Sequence, residues 1–280
     1  MGDGPPRLVL VGTPIGNLGD LSPRVAEAFA AADLVACEDT RRTGRLLAHL
    51  GVHVPRLVRL DDHTEAEVGP GLVALVAAGG VVAVASDAGM PGLSDPGARI
   101  AALAAEADLQ VEVVPGPFAA AVALVGSGLL DPSGRFCFEG FLPRKGAARL
   151  ERLGELVGEQ RTIVLYEAPH RLTRTLADLA ARLGGDRQVA LCRELTKLHE
   201  HTWRGTLAAA VERCDEVEPR GEYVLVLEGA PPPGPIDDEA LRDAVAAELA
   251  GGSSRRDAAA AVAARFGVSP NRVKRLALDR

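Results

Sequence analysis

The residues of this chain best placed to do chemistry sit in short loops that follow apolar, strand-like runs. The run Val81 to Ala85 stops abruptly at Ser86-Asp87-Ala88-Gly89-Met90-Pro91-Gly92-Leu93-Ser94-Asp95-Pro96-Gly97, where seven of twelve residues are Gly, Pro or Asp. Glycine lets a backbone approach a ligand closely, and proline fixes the path of a loop. In an open α/β sheet, ligands sit at the carboxyl ends of the strands, where such a loop begins. The competing reading is a costly but purely structural turn. Glu38-Asp39-Thr40-Arg41-Arg42 packs two acids and two bases at another strand end, either as a polar site or as a surface ion-pair cluster that stabilises little. Pro115-Gly116-Pro117, Phe138 to Lys145, Tyr166 to Arg171 and Arg193 to Lys197 repeat this vocabulary. Singly each reads as a plain turn or an exposed helix start. Jointly they describe loops converging on one cleft.

The common signatures are absent. Gly12-Thr13-Pro14-Ile15-Gly16-Asn17 breaks the G-x-G-x-x-G dinucleotide pattern after the first strand, and no G-x-x-x-x-G-K-[ST] phosphate loop occurs. Neither a G-x-S-x-G elbow nor H-E-x-x-H is present. Dinucleotide, nucleotide-hydrolysis, esterase and zinc-protease chemistry are thereby disfavoured.

The elements that must position these loops alternate from the start. Strands are predicted at Arg7 to Val11, Asp33 to Cys37, Val81 to Ala85 and Gln110 to Val114. Helices are predicted at Pro23 to Ala31, with Ser22 as N-cap, and at Thr43 to Leu50, Glu65 to Ala78, Pro96 to Ala107 and Phe118 to Val125. This βα alternation implies a mostly parallel sheet with helices on its faces. Asp131-Pro132-Ser133-Gly134 is a polar break and candidate hinge. Beyond it, strands at Phe136 to Glu139, Thr162 to Tyr166, Gln188 to Cys192 and Tyr223 to Leu227, with helices at Ala147 to Val157 and Pro169 to Leu183, suggest a smaller α/β domain. Ala230 to Pro235 reads as a stiff linker. A helical tail follows, in which Asp257 to Phe266, the turn Gly267-Val268 and a last helix from Ser269-Pro270 resemble a helix-turn-helix. The expected boundaries are 1–131, 132–230 and 237–280.

Bulk composition sets the class. The 280 residues are 47% hydrophobic but only 3% aromatic, which suits Val-rich strands and Ala-rich helices. No apolar run approaches the ~18 residues of a membrane span, and Met1 to Pro6 lacks the basic and apolar regions of a signal peptide, so a cytoplasmic location is expected. Cys37, Cys137, Cys192 and Cys214 show no metal-ligand pairing, and no metal is expected. The net charge of −7 argues against polyanion binding as a whole. Its distribution does not. Residues 251–280 carry seven basic and two acidic side chains, a net +5, leaving −12 for the rest. Any polyanion contact is therefore local.

Taken in order, the loops resemble one family. The segments are Thr13-Pro14-Ile15-Gly16-Asn17-Leu18, Glu38-Asp39-Thr40-Arg41, Ser86-Asp87-Ala88-Gly89 with Pro91, and Asp95-Pro96-Gly97. They continue through Pro115-Gly116-Pro117, Glu139-Gly140-Phe141-Leu142-Pro143, His170-Arg171, Arg193-Glu194-Leu195-Thr196-Lys197 and Gly221-Glu222-Tyr223-Val224-Leu225. In this order they are similar to the bacterial small-subunit ribosomal-RNA ribose 2′-O-methyltransferases, a branch of the tetrapyrrole-methylase superfamily. The resemblance spans nearly the whole chain. Met90 stands where the family usually has Thr, Ala168-Pro169 replaces a usual Ser-Thr, and Asp61-Asp62-His63-Thr64-Glu65 only approximates a His-Asp-His-Asn-Glu pattern.

The resemblance implies a two-domain α/β fold of the tetrapyrrole-methylase, class III methyltransferase type, with a C-terminal helix-turn-helix-like module. It implies a homodimer, S-adenosylmethionine as cofactor, and a cytidine 2′-hydroxyl in the decoding region of 16S ribosomal RNA, within the small ribosomal subunit, as methyl acceptor. Cofactor contacts would come from Asp87, Ala88 and Gly89, with Pro14, Ser86, Pro115, Gly116 and Leu142 around them. A ribose hydroxyl is a poor nucleophile and gains from a proton acceptor. Glu38 and Asp39 are the acidic candidates, with Glu167 behind them; Lys145 or His170, if neutral in the site, would serve as well. Arg41, Arg42, Arg144, His170 and Arg171 would grip RNA, joined by Arg272, Lys274 and Arg275 of the tail. Two alternatives remain: a tetrapyrrole C-methyltransferase, which the basic tail disfavours, and a non-catalytic RNA-binding or assembly protein, which the intact Asp87-Ala88-Gly89 loop disfavours.

Overall fold

The computed structural model describes residues 5–232 and 236–278. Residues 233–235 of the expected linker, and Asp279 and Arg280 of the basic tail, lie outside the described residues, as do Met1 to Gly4.

The first half builds a five-stranded sheet from β1 (Arg7–Val11), β2 (Leu34–Cys37), β3 (Leu57–Arg59), β4 (Val81–Ala85) and β5 (Val111–Val114). Its order is β3-β2-β4-β1-β5, with every pairing parallel. The helices are α1 (Pro23–Ala31), α2 (Thr40–Leu50), α3 (Glu65–Ala77), α4 (Ala98–Glu106) and α5 (Ala119–Ser127). Strand side chains alternate between faces, and both faces are covered. Val9, Val11, Val35 and Ala83 pack with Val25, Phe29 and Leu47 of α1 and α2. Leu8, Leu10, Ala36 and Val84 pack with Leu72, Val76 and Ile100 of α3 and α4. That double coverage is why these strands read as unbroken apolar runs.

The second sheet comprises β6 (Phe136–Phe141), β7 (Thr162–Glu167), β8 (Gln188–Arg193), β9 (His201–Thr206) and β10 (Tyr223–Leu227), with helices α6 (Ala147–Leu156), α7 (Pro169–Leu183) and α8 (Leu207–Glu216). The order is β6-β7-β10-β8-β9; only β6 and β7 pair in parallel. Its outer face packs on α6, α7 and α8 through Ile163, Leu165, Leu172, Leu176 and Leu207. Its inner face, Val164, Ala190, Val224 and Val226, packs on Ala120, Ala123 and Leu124 of α5. α5 follows the last strand of the first sheet yet covers the second, and residues 1–230 form one compact unit.

Residues 231–280 form a second unit. Helices α9 (Asp238–Ala250), α10 (Arg255–Phe266) and α11 (Pro270–Leu278) enclose a small core of Leu241, Val245, Ala259, Val262 and Val273. Asp237 and Ser254 cap α9 and α10, and Gly267 ends α10 at φ 62°, a left-handed cap common at helix ends.

Several boundaries differ from the sequence reading. α4 begins at Ala98 rather than near Pro96, because Gly97 takes φ 137° and the Pro96 carbonyl turns back to accept from the Gly92 amide. Glu65 of α3 supplies the missing cap, accepting from Gly97 and Ile100 amides. α2 begins at Thr40, three residues early, since Asp39 caps it. The predicted strand Phe136 to Glu139 continues through Gly140 and Phe141 as β6, with a register shift between Phe138 and Gly140.

Candidate active site

The loops after β1, β4 and β5 are stitched into one surface. Thr13 and Gly89 exchange backbone hydrogen bonds of 2.9 and 3.1 Å. The Thr13 hydroxyl donates to the Ser86 carbonyl at 3.1 Å, and the Ser86 hydroxyl to the Gly89 carbonyl at 3.0 Å. A Cβ on Gly12 would lie 2.5 Å from the Gly116 nitrogen, so these two chains cross where no side chain fits. Met90, in place of a hydroxyl residue, uses its sulfur to accept from the Gly116 amide at 3.2 Å. Gly89 is at φ 92°.

Over this surface lies a cavity of about 470 Å³ between the two sheets, within the range of small-molecule sites. Its near wall is Ile15, Ala88, Gly89, Met90, Leu93 and Asp95; its far wall includes Phe141, Tyr166, Cys192, Leu195 and Val224. Phe118, Phe141, Tyr166 and Tyr223 border it, and Phe138 stacks edge-on to Phe118 at 5.1 Å and to Tyr166 at 5.0 Å. Nine aromatic residues occur in the whole chain, so five of them gather here. The strap after β8 closes the cavity, with Glu194 at φ 52° and Thr196 at φ 67°; the Thr196 hydroxyl is buried without a partner.

The strand-end acids are tied to one another. The Asp87 amide donates to Glu38 Oε1 at 2.9 Å, and the Asp39 amide to Asp87 Oδ1 at 3.0 Å. Arg42 pairs with Asp87 at 3.5 Å. Burial pushes the Glu38 carboxyl above its ordinary value, against the pull of the Asp87 amide. Asp39 is held low by hydrogen bonds from the Arg41 backbone and side chain. Glu167 is fully committed: it accepts from the Thr175 hydroxyl at 2.6 Å and the Ala168 amide at 2.9 Å, and pairs with Arg171 at 3.0 Å. Asp95 is different. Its carboxyl is pushed up to about 7, first by burial and then by the negative charges of Glu38, Asp62 and Asp87. Burial also pushes the Tyr166 phenol up to about 12.

The residues expected from sequence fall into several places. Ala88 and Gly89 line the main cavity. Pro14, Ser86, Asp87 and Arg42 line a neighbouring recess of about 440 Å³. Arg144, Lys145, His170 and Arg171 line a basic cavity of about 500 Å³, which His170 shares with the main one. Pro115 and Gly116 carry the backbone that crosses Gly12. Leu142 is buried at 2% exposure in the second core, where its carbonyl accepts from Arg171 at 2.6 Å. In the C-terminal unit Arg272 pairs with Asp238 at 2.7 Å, whereas Lys274 and Arg275 are exposed. Of the turn amides, Asp87 donates to Glu38 and Gly89 to Thr13, which leaves Ala88 free for a ligand. Sequence reasoning placed Asp95, Phe141, Tyr166 and Leu195 inside its candidate segments but gave none of them a role. The scarcity of aromatics was the signal available, since three of them crowd Phe136 to Phe141.

Residues 7–211 match the family model of tetrapyrrole (corrin/porphyrin) methylases. A ribosomal RNA small subunit methyltransferase I of Synechocystis sp. is 43% identical over 274 residues, 97% of each chain. The protein of that name from Mycobacterium tuberculosis is 45% identical over 260 residues, 92% of this chain and 89% of the relative. In fold, a uroporphyrin-III C-methyltransferase of Thermus thermophilus, solved with S-adenosyl homocysteine, matches with a TM-score of 0.56 at 19% identity, over 79% of this chain and 97% of that one. Among the described residues no helix is long and apolar enough to cross a membrane. A loop surface built from glycine crossings, a matching family model and relatives alike over nearly their full length lead to one assignment: the chain belongs to the tetrapyrrole methylase family, among the small-subunit ribosomal RNA methyltransferases I.

Proposed function

We propose that this chain is an S-adenosylmethionine-dependent methyltransferase that methylates the ribose 2′-hydroxyl of a decoding-region cytidine in 16S ribosomal RNA, within the small ribosomal subunit. The observation that carries this reading is the main cavity. It is apolar and aromatic, it has a glycine turn with one free amide at its edge, and it opens toward a cluster of cations through His170. The names of the relatives support RNA as the acceptor. The nucleotide and its 2′-oxygen rest on the sequence resemblance.

The residues present suit the cofactor. Phe118, Phe141 and Tyr166 favour a positively charged ligand with apolar parts. S-adenosylmethionine supplies, when bound, an electrophilic methyl group on a positive sulfur. The chain's own part is to hold the acceptor in line with it, since positioning supplies much of the rate of such a displacement. Ala88 and Gly89 would meet the cofactor directly. Pro14, Ser86, Asp87, Pro115, Gly116 and Leu142 would hold that turn and the facing wall in shape. Arg144, Lys145 and His170, with Lys274 and Arg275, would contact RNA phosphates in a salt-dependent way. Glu38 and Asp39 would fix the Asp87 turn, Arg41 and Arg42 would flank it, and Arg171 and Arg272 would brace their own domains. Four free thiols suit a reducing cytoplasm. Exposed Val122 and Val125 on α5 suit a covered surface in a homodimer.

The test is transfer of label from radioactive S-adenosylmethionine to small ribosomal subunits that lack the modification, mapped by nuclease digestion and mass spectrometry. Label on one cytidine ribose is expected. Cofactor binding with no RNA label would move the acceptor to a tetrapyrrole. Loss of both would leave a non-catalytic RNA-binding protein.

A further inference from the structure

Beside the main cavity lies a second, shallower one of about 500 Å³, lined by Asp62, Gly92, Phe138, Glu139 and neighbours. The two share a wall made of Leu93, Ser94, Asp95 and Phe141. Asp95 is the carboxylate that borders both. The other acids of the two cavities are committed or peripheral. Glu167 is held by Thr175, Ala168 and Arg171. Glu222 pairs with Lys197 at 2.7 Å, and Glu139 with Arg152 at 3.4 Å. Asp62 is exposed and borders the shallow cavity alone. The Asp95 carboxylate has no hydrogen bond and no ion pair among the described residues.

The backbone around Asp95 is held under strain. Ser94 sits at φ 66° although it is not glycine, a conformation that persists only where packing enforces it. The opposite sheet comes close to it. Gly140, at φ 58° on the irregular end of β6, lies so near that a Cβ there would fall 2.5 Å from the Ser94 hydroxyl oxygen. The next residue, Asp95, brings one unpaired carboxylate to the shared wall.

We infer that Asp95 is the proton acceptor for the methyl-accepting hydroxyl, and that the shallow cavity admits the ribose that carries it. The inference rests on the proposed function and deepens it. In the step, the hydroxyl oxygen forms a bond to the methyl carbon as the carbon–sulfur bond breaks. The electron pair of that bond stays on sulfur, which becomes a neutral thioether, and the hydroxyl proton passes to the Asp95 carboxylate. The groups facing Asp95 are Glu38 after β2, Asp62 before α3, Asp87 after β4 and the Tyr166 phenol on β7. They are acidic, and the cations of these loops are paired with other acids: Arg41 with Asp39, Arg42 with Asp87 and Arg59 with Asp61. A carboxyl that titrates at about 7 in this setting is matched to proton transfer at neutral pH.

The experiment compares the wild type with Asp95→Asn on small ribosomal subunits lacking the modification. It measures single-turnover methyl transfer across pH, together with S-adenosylmethionine affinity by calorimetry. The wild-type rate should rise about tenfold per pH unit and level off above about pH 7, and the variant should lose roughly 10²–10⁴-fold in rate with a flat profile. Its cofactor affinity should stay within about threefold of wild type, because a neutral isostere keeps the wall in place. A variant rate within about fivefold of wild type would overturn the assignment. So would a wild-type profile that is flat from about pH 6 to about pH 8, which needs no variant to fold. If the wild type labels no ribosomal RNA at all, the acceptor reading fails and the base falls with it. If it labels RNA and the variant does so equally, only the base fails.

Discussion

Two groups of acids lie at the carboxyl end of the first sheet, and they are used in opposite ways. Glu38 accepts the Asp87 amide, Asp87 accepts the Asp39 amide and pairs with Arg42, and Asp39 accepts the Arg41 amide. Asp95, at the far end of the same β4 loop, has no partner among the described residues. The first group matches a sequence run dense in charge, Glu38-Asp39-Thr40-Arg41-Arg42, which draws attention as chemistry. Its geometry spends that charge on structure. The second is one Asp inside a turn of glycines and prolines, and its geometry spends nothing. Carboxylates that hold backbone amides or a guanidinium are fixed in place by them, so the lone acid is the better candidate for chemistry and the dense cluster for positioning.

That contrast can be broken at Gly140. Gly140→Ala forces a Cβ toward Ser94 and into a left-handed backbone, so it should destabilise by about 1–3 kcal/mol and slow turnover by roughly 10–100-fold as Asp95 leaves its seat. Thermal melts and single-turnover rates check both; normal turnover would detach Asp95 from its strained support. Stability against pH sharpens the same point. Asp95 keeps its proton up to about 7 when folded, while an unfolded Asp loses it near 3.9. Between those values the folded state binds more protons, so Asp95 makes stability fall as pH rises from about 4 to about 7. Asp95→Asn should remove that fall, gaining about 1–3 kcal/mol at about pH 8 and little at about pH 4; denaturant melts at the two pH values measure it. Glu38→Gln keeps an oxygen to accept the Asp87 amide, so it should change stability by less than about 1 kcal/mol and turnover by less than about fivefold. The smallest effect is expected from Asp39→Asn. Asn caps a helix as well as Asp does, so the melt should move by less than about 0.5 kcal/mol, with cofactor affinity unaltered by calorimetry.

Much of the fold was legible because the relevant forces are local. The bounds of β1, α1, β4, α7 and β10 coincide with the sequence reading: unbroken apolar runs mark strands buried on both faces, and Ser22-Pro23 and Pro169 mark helix starts. β3 escaped detection because it is three residues long at a sheet edge, and β9 because His201–Thr206 is a polar edge strand. Neither carries the apolar run that made the others visible. α8, entered through Thr206 as N-cap, was not predicted either. The site was legible as a set of loops but not as a division of labour. Which acids are satisfied depends on partners 48 or 49 residues away, such as Asp87 for Asp39 and Glu38 for Asp87. The burial that raises Asp95 depends on a second sheet that the sequence does not visibly bring beside it. Arg171 and Arg272 looked like free phosphate ligands, yet each is held within its own domain by a carboxylate and a carbonyl.

The most direct test is to run wild type, Asp39→Asn and Asp95→Asn side by side in single-turnover methyl transfer to the same unmodified small ribosomal subunits, reading both rate and labelled nucleotide. The account predicts one labelled cytidine ribose throughout, a rate for Asp39→Asn within about fivefold of wild type, and a loss of roughly 100-fold or more for Asp95→Asn. The reverse ranking, or label on no ribosomal nucleotide, would contradict it.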